Sequence, residues 1–291
     1  MTKKQNIFSK PFTDKINLRN VVLVVPGIID IKKNQNMIIK TSKLFGYPFW
    51  PKNSIESYPR DIDGNPMLML AQVNIKDLPY LDHRLPADGM IQFYLSVSEN
   101  EHNSTGTNLD TDNKTNRYFN KVVYFNQDKL ESNYEDLTSI KNELSLKFKT
   151  SGYNFPVQNE ILNKNFLEDS EFNLNQKKES NIMNFKSNIQ PMSFSTSKFK
   201  TEYPDISKNE AVEEQYFNLY KQFITTKLFG YPDFIQSDPF MNTDSLILLM
   251  QFNSYEFNML WGDGGIASFF IHPDDLENLN FEKVLFTWDS Y

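Results

Sequence analysis

The sequence contains no cysteine and only three histidines among 291 residues. The lack of cysteine excludes disulfides, thiolate nucleophiles and zinc–thiolate sites. The histidines, His83, His102 and His272, have no paired spacing of the kind that metal sites and histidine-assisted nucleophiles use. The sequence therefore predicts no metal, no cofactor and no catalytic residue.

Long apolar runs are also lacking. The apolar run at residues 21–25 follows basic residues but ends at Pro26, so it is shorter than a signal sequence or a membrane span requires. We expect a soluble, cytoplasmic protein.

Positive charge is in deficit, because 30 Lys and Arg oppose 37 Asp and Glu for a net charge of -7 at pH 7. Clustered cations drive binding to nucleic acid and anionic membranes, so neither is expected as a partner. The acidic runs at residues 61–65 and 108–112 resemble calcium loops but lack the glycine and the final glutamate that such loops need. They are interpreted as turns.

Aromatic residues, by contrast, make up 14% of the chain, which indicates a folded globular protein. A six-residue stretch, Lys-Leu-Phe-Gly-Tyr-Pro, occurs at residues 43–48 and again at residues 227–232. Three further segments match in the same order, each pair apolar or aromatic; they are residues 67–74 with 246–253, 89–95 with 265–271, and 119–125 with 281–287. Two structural repeats are predicted, with three strands in each.

The predicted organisation is a polar arm over residues 1–20 and a single domain over residues 21–291. The domain holds two repeats, at about residues 43–150 and 227–291, joined by a polar connection and a helix over residues 151–226. The runs read as strands buried on both faces, and duplicated units pack about a pseudo-two-fold axis. The expected fold class is α+β, internally duplicated, with a predominantly antiparallel sheet, few helices and two pseudo-symmetric halves sharing one core.

Several local elements can also be assigned. Residues 21–25 predict a short buried strand that ends in a turn at Pro26 and Gly27, and the alternation in residues 144–148 predicts an additional edge strand. A Ser-x-x-Glu capping box at Ser207 precedes apolar residues at helical spacing, so a helix is expected to lead into the second hexamer. Gly230 is placed just past this helix. Polar residues 96–116 predict a long surface loop.

With the hexamers, the glutamine-bearing runs, the turn at residues 261–265 and the ending at residues 283–291, the chain resembles the YwqG-like family, a bacterial domain family without an established function. The resemblance covers roughly residues 30–291. It implies an α+β fold with an internal duplication and a mostly antiparallel sheet. It implies no catalytic residue.

Five residues are candidates for ligand binding: Gln72, Gln251, Trp261, Asp263 and Asp289. The glutamines are matched polar residues within apolar strands, where a buried amide pairs either with backbone or with a ligand. Residues 261–265 form either a hairpin turn or a binding loop with an exposed tryptophan.

Two functions remain open. The first is a non-catalytic binding protein, monomeric, that engages another protein, with toxin immunity as one form. The second is a small-ligand receptor or hydrolase-like enzyme with a pocket between the two repeats, near Gln72, Gln251, Trp261 and Asp263.

Overall fold

A computed structural model describes residues 18–27, 39–54, 56–96, 120–150, 180–191, 210–236, 245–257 and 259–291. Four sequence predictions fall wholly or largely outside these ranges: most of the N-terminal arm, the Ser207 cap, the polar loop after Ser96, and most of the polar connection. The described strands are β1 (Leu18–Gly27), β2 (Lys43–Leu44), β3 (Leu68–Asn74), β4 (Met90–Leu95), β5 (Asn120–Phe125), β6 (Ser180–Pro191), β7 (Lys227–Phe229), β8 (Ile247–Asn253), β9 (Ile266–Ile271) and β10 (Leu285–Asp289).

The described helices are α1 (Gln127–Glu131), α2 (Thr138–Thr150), α3 (Glu210–Lys221) and α4 (Pro273–Glu277), with 3-10 turns at Ile75–Asp77 and Phe281–Lys283. The protein is therefore a sheet-rich α+β protein, as predicted. Within the described ranges, no helix is both long and apolar enough to cross a membrane.

All paired strands are antiparallel, in the order β10-β9-β8-β7-β1-β6-β2-β3-β4-β5. The strand order is continuous, but β6 and β2 are joined by only one residue pair, Ile182 with Lys43. The order divides into two sheets at this point. The long central pair, β1 with β6, is flanked on each side by four strands. On one side these are β2 to β5 and on the other β7 to β10.

One hydrophobic core includes residues from both sides of the central strands. The rings of Phe93 in β4 and Phe269 in β9 meet with centroids 5.2 Å apart, and Tyr80 contacts Phe229 at 5.9 Å. Strands β4 and β9 are buried along their whole length, which explains why their sequences are apolar except for Gln92 and Ser268.

The predicted edge strand at residues 144–148 is wrong, because these residues belong to helix α2. The buried side chains of Leu137, Ile140 and Leu144 follow at helical spacing, whereas Leu146 is 65% exposed. The apparent alternation arose because the exposed Leu146 lies two positions from the buried Leu144, and five residues are too few to distinguish a helix from a strand.

The polar connection contains a strand that the sequence did not reveal. Strand β6 lies at the centre of the strand order, although most of residues 184–189 are polar and exposed. The predicted strand at residues 21–25 is confirmed within β1, but β1 begins at Leu18 and continues through Pro26 to Gly27, where the register is irregular and a turn was predicted. Neither strand carries the alternation by which strands are recognised.

Each hexamer begins with a short strand, so each half has four strands rather than the three predicted. In the last predicted strand, residues 281–283 form a 3-10 turn and β10 starts only at Leu285. Helix α3 confirms the predicted helix. Gly230, however, follows strand β7 and not the helix, and its φ of +76° is preceded by a φ of +60° at Phe229.

Candidate functional site

The amide of Gln72 is fully hydrogen-bonded. Its Oε1 accepts from the N–H of Phe49 at 2.8 Å and from Nε2 of Gln92 at 2.9 Å. Its Nε2 donates to the carbonyls of Ile39 and Thr41 at 2.8 and 2.9 Å. A side-chain amide has two donors and two acceptor lone pairs, so these four bonds satisfy it completely. Gln72 anchors the chain that enters and leaves the first hexamer.

Gln251 holds the corresponding place in the other half. Its Oε1 accepts from the N–H of Asp233 at 2.9 Å, and its Nε2 donates to the carbonyl of Thr225 at 3.1 Å and to Oδ2 of Asp233 at 2.8 Å. Phe49 and Asp233 are each the third residue after the glycine of their hexamer. The two glutamines thus bind equivalent backbone groups in the two halves.

The glutamines lie on the sheet faces that point away from the contact between the halves. Gln72 is paired across the strands with Gln92, the neighbour of Phe93, and Gln251 is paired with Ser268, the neighbour of Phe269. Successive side chains of a strand point to opposite faces. Because Phe93 and Phe269 contact each other, Gln92 and Ser268 face outward from that contact, as do the two glutamines.

Gln251 belongs to a buried charged cluster. Lys227 is fully buried, its Nζ lies 2.5 Å from Oδ2 of Asp233, and it donates to the carbonyl of Phe223 at 2.8 Å. The hydroxyl of Tyr220 donates to the other carboxylate oxygen. Burial lowers the pKa of Lys227, and the charge of Asp233 opposes that shift. In the first half, Phe49 stands at the position of Asp233, so this ion pair belongs to the second half.

Trp261 is fully buried, so of the two interpretations of residues 261–265 the binding loop with an exposed tryptophan is wrong. Its ring packs against Phe252, Phe286 and Trp288, with centroids 6.2 to 6.5 Å apart. Its Nε1 has no hydrogen-bond partner among the described residues. Because Phe252 follows Gln251 in β8, Trp261 and Gln251 lie on opposite faces of the sheet. The structure does not bring these two candidate residues together.

Asp289, the last residue of β10, binds the backbone of residues 235–236, which follow the second hexamer. Its Oδ2 accepts from the N–H groups of Ile235 and Gln236, both at 2.8 Å, while its buried Oδ1 has no partner within the described ranges. Burial raises the pKa of Asp289, although the two N–H groups partly oppose that shift. Two backbone donors on one oxygen make Asp289 a positioning residue for this segment.

Residues 254–265, between β8 and β9, pack against the end of the chain. A Cβ added to Gly262 would meet Ser290 and Trp288, and one added to Gly265 would overlap the backbone of Asp289. Asp263, between Gly262 and Gly264, is exposed. Trp261, Asp263 and Asp289 therefore come from one region of the molecule, whereas Gln72 lies in the other half.

The exposed part of this region includes Tyr255, which no sequence pattern singled out. Tyr255 is 78% exposed and has a φ of +66°, and a Cβ at Gly264 would lie 3.1 Å from its hydroxyl oxygen. Tyr291 is 84% exposed and Trp288 is half-buried. We call Tyr255, Asp263, Trp288 and Tyr291 the aromatic patch. Trp261, Asp263 and Asp289 are the residues by which the sequence signalled this region.

The loop that carries the patch is internally hydrogen-bonded. The N–H of Trp261 donates to Oγ of Ser254 at 2.8 Å, and the N–H of Gly265 donates to the carbonyl of Trp261 at 2.7 Å. The N–H of Tyr255 donates to the carbonyl of Met259 at 2.9 Å. These bonds fix the backbone conformation from which Tyr255 projects.

A small hollow lies between the two halves. It is lined by Asn120, Lys121, Phe281, Glu282 and Val284, and its volume of 10 Å³ holds about one water molecule. This hollow is far smaller than a metabolite site of about 300 Å³ or more. Among the described residues, no group of three or more His, Asp or Glu side chains is placed to hold a metal ion.

These features define a sheet-rich α+β protein whose buried Gln72 and Gln251 bind its own backbone and whose β8–β9 loop exposes Tyr255. The chain belongs to the DUF1963 family, a domain of unknown function, whose family model matches residues 42–290. No curated protein matches the chain.

Proposed function

We propose that the protein is a non-catalytic binding protein that engages another protein through the aromatic patch. The observation that carries this proposal is Tyr255, a large aromatic side chain that is 78% exposed on a backbone with a φ of +66°. For residues other than glycine, such conformations cost about 1–3 kcal/mol and concentrate at functional sites. The hydrogen bonds of residues 254–265 hold Tyr255 in this conformation, with its ring largely in solvent.

The rest of the patch suits protein recognition. Tyrosine and tryptophan supply large contact areas at low conformational cost, and they are enriched among the residues that dominate binding energy. The hydrogen bonds within residues 254–265 pre-organise Tyr255, which reduces the entropy lost on binding.

The partner that fits this surface is a protein with a basic face. Asp263 is exposed beside the aromatic side chains, and the chain carries a net charge of -7 at pH 7. Complementary charge accelerates association and selects partners. A basic toxin that this protein neutralises is one partner of that class, and the cytoplasm is the compartment that we propose for it.

We also propose that the two halves arose by internal duplication within a single domain, in which the repeats cover about residues 43–150 and 227–291. Two matched features support this proposal. Phe45 and Phe229 have φ values of +55° and +60°. The β3–β4 and β8–β9 pairs each have a register shift near the start of their first strand. Membership of a YwqG-like family is consistent with this organisation. The patch lies outside the matched segments, where the halves differ.

The proposed function is tested by placing a photo-crosslinking amino acid at position 255 and, as the matched control, at position 62. Ile62 is also exposed, at 59%, but belongs to the first half. We expect a discrete crosslinked protein from position 255 in native cells and none from position 62. The same products from both positions, or none from either, would rule out the patch as a binding surface.

A further inference from the structure

Strand β6 has one edge with little strand pairing. On one side it pairs with β1 from Leu18–Pro191 to Gly27–Ser180. On the other side it meets β2 only at Ile182, together with a bond from the N–H of Met183 to the carbonyl of Ser42 at 3.0 Å. Among the described strands, none pairs with residues 184–189 on that side. All of these residues are exposed except Phe185, which is half-buried.

The peptide groups of Phe185, Ser187 and Ile189 point outward at this edge. Val24, which lies opposite Phe185, donates its N–H to the carbonyl of Thr226 on the far side of β1. In an antiparallel pair, the N–H and C=O groups of two opposed residues either both point toward the other strand or both point away from it. The groups of Phe185 therefore face away from β1, and alternation gives Ser187 and Ile189 the same direction.

The side chain of Asn188 supports this orientation. Its Oδ1 accepts the N–H of Ile189 at 2.8 Å, so that N–H is directed to a local side chain and not to β1. An outward row of peptide groups is a template for another strand, and pairing requires the Ile189 N–H to exchange Oδ1 of Asn188 for a carbonyl of that strand. The question is which strand fits it.

We propose that a second copy of this chain pairs antiparallel with this edge, about a two-fold axis through Ser187. A two-fold interface must be self-complementary, and this edge is. Ser187 would lie opposite the partner subunit's Ser187. Phe185 of each copy would lie opposite the partner's Ile189, so that apolar residues meet. Lys186 of each copy would lie opposite the partner's Asn188 and not opposite another lysine.

The register follows from charge and burial. An axis through Lys186 would place two ammonium groups directly opposite each other, which is destabilising. The axis through Ser187 avoids this and covers Ile189, which is 45% exposed in one chain. The resulting dimer differs from the monomer that the sequence predicts. It is also independent of the aromatic patch, which lies on the β8–β9 loop and the end of β10.

The test uses charge reversal at the axis. Ser187→Glu and Ser187→Lys each place like charges opposite each other in a homodimer, whereas a mixture places opposite charges there. Ser187 is exposed, so both variants should keep the circular dichroism and Tm of the parent. The matched controls are Ser57→Glu and Ser57→Lys, at another exposed serine.

We expect the parent and the Ser57 variants to sediment as dimers of the 34.2 kDa chain. Each Ser187 variant alone should show a dimer dissociation constant raised by about tenfold or more, and mixing the two should restore a dimer containing one of each. A monomeric parent, Ser187 variants that dimerise as the parent does, or a mixture that stays monomeric would overturn the proposal. A Tyr255→Ala variant should dimerise normally, which separates this result from the proposed function.

Discussion

Gln72 and Gln251 make the same bond in the two halves of the molecule. The Oε1 of each accepts the N–H of the third residue after the glycine of its hexamer, Phe49 at 2.8 Å and Asp233 at 2.9 Å. Each also donates Nε2 to a carbonyl of the residues that precede its hexamer. The matched glutamines thus fix both ends of the turn that carries the chain into its half of the sheet.

Replacing either glutamine by leucine should destabilise the fold. Gln72→Leu keeps a similar side-chain volume but leaves buried backbone groups without hydrogen-bond partners. The free energy of unfolding should therefore fall by about 2–4 kcal/mol. Gln251→Leu should cost a similar amount. Urea denaturation measures the loss. Gln222→Leu, at an exposed glutamine, should change stability by no more than about 0.5 kcal/mol. Equal stabilities of all three variants would contradict the account.

The buried ion pair should show strong energetic coupling. Lys227→Met leaves the Asp233 carboxylate without its cation in a buried site and should cost about 3–5 kcal/mol. Asp233→Leu should be similarly costly. The sum of the stability losses of the two single variants should exceed the loss of the double variant by at least about 2 kcal/mol. Additive losses in this double-mutant cycle would show that the two side chains act independently.

The same lysine gives a pH dependence of defined sign. Burial lowers the pKa of Lys227 in the folded state, so between that value and the ordinary value of about 10.4 the unfolded chain binds more protons. Stability from this group therefore rises with pH across the window. The free energy of unfolding of the parent, minus that of Lys227→Met, should increase as the pH rises toward the ordinary value of about 10.4. A difference that decreases over this range would refute the assigned shift.

Two glycines with the same backbone conformation should respond differently to alanine. Gly64 and Gly230 have φ values of +78° and +76°, so alanine at either site costs about 1–2 kcal/mol of backbone strain. A Cβ at Gly64 meets nothing within 4 Å, whereas one at Gly230 would lie 2.9 Å from Cβ of Val21 and overlap Gln190. Gly230→Ala should therefore be the more destabilising in thermal denaturation, by at least about 2 kcal/mol. Equal losses would mean that Gln190 and Val21 move aside freely.

The sequence predicted the strands whose burial makes them mostly apolar. Strands β3, β4, β8 and β9 coincide with the matched runs, because burial on both faces favours apolar residues, with one buried Gln or Ser in each strand. Strand β6 escaped prediction because much of it faces solvent and pairs fully on one side only. Helix α2 was mistaken for a strand because the exposed Leu146 lies two positions from the buried Leu144, so this short segment also fits a period of two.

The candidate residues were predictable as buried polar groups but not in their contacts. The partners of Gln72 lie between 20 and 33 positions away in sequence, and such contacts depend on the register of the strands. The ion pair had one sequence signal, since Asp233 stands where the first half has Phe49. Tyr255 had none, because its positive φ arises from the hydrogen bonds within the β8–β9 loop.

The most direct measurement is the affinity of the protein for the partner crosslinked at position 255, by calorimetry with the purified partner. Tyr255→Ala should weaken binding by about 2 kcal/mol or more, roughly thirtyfold, as expected for a dominant aromatic contact. Tyr255→Gly should bind as weakly, although glycine relieves the strain and makes it more stable than the alanine variant. Ile62→Ala should bind as the parent does. Equal affinities of the parent and both Tyr255 variants would contradict the claim that the aromatic patch binds the partner.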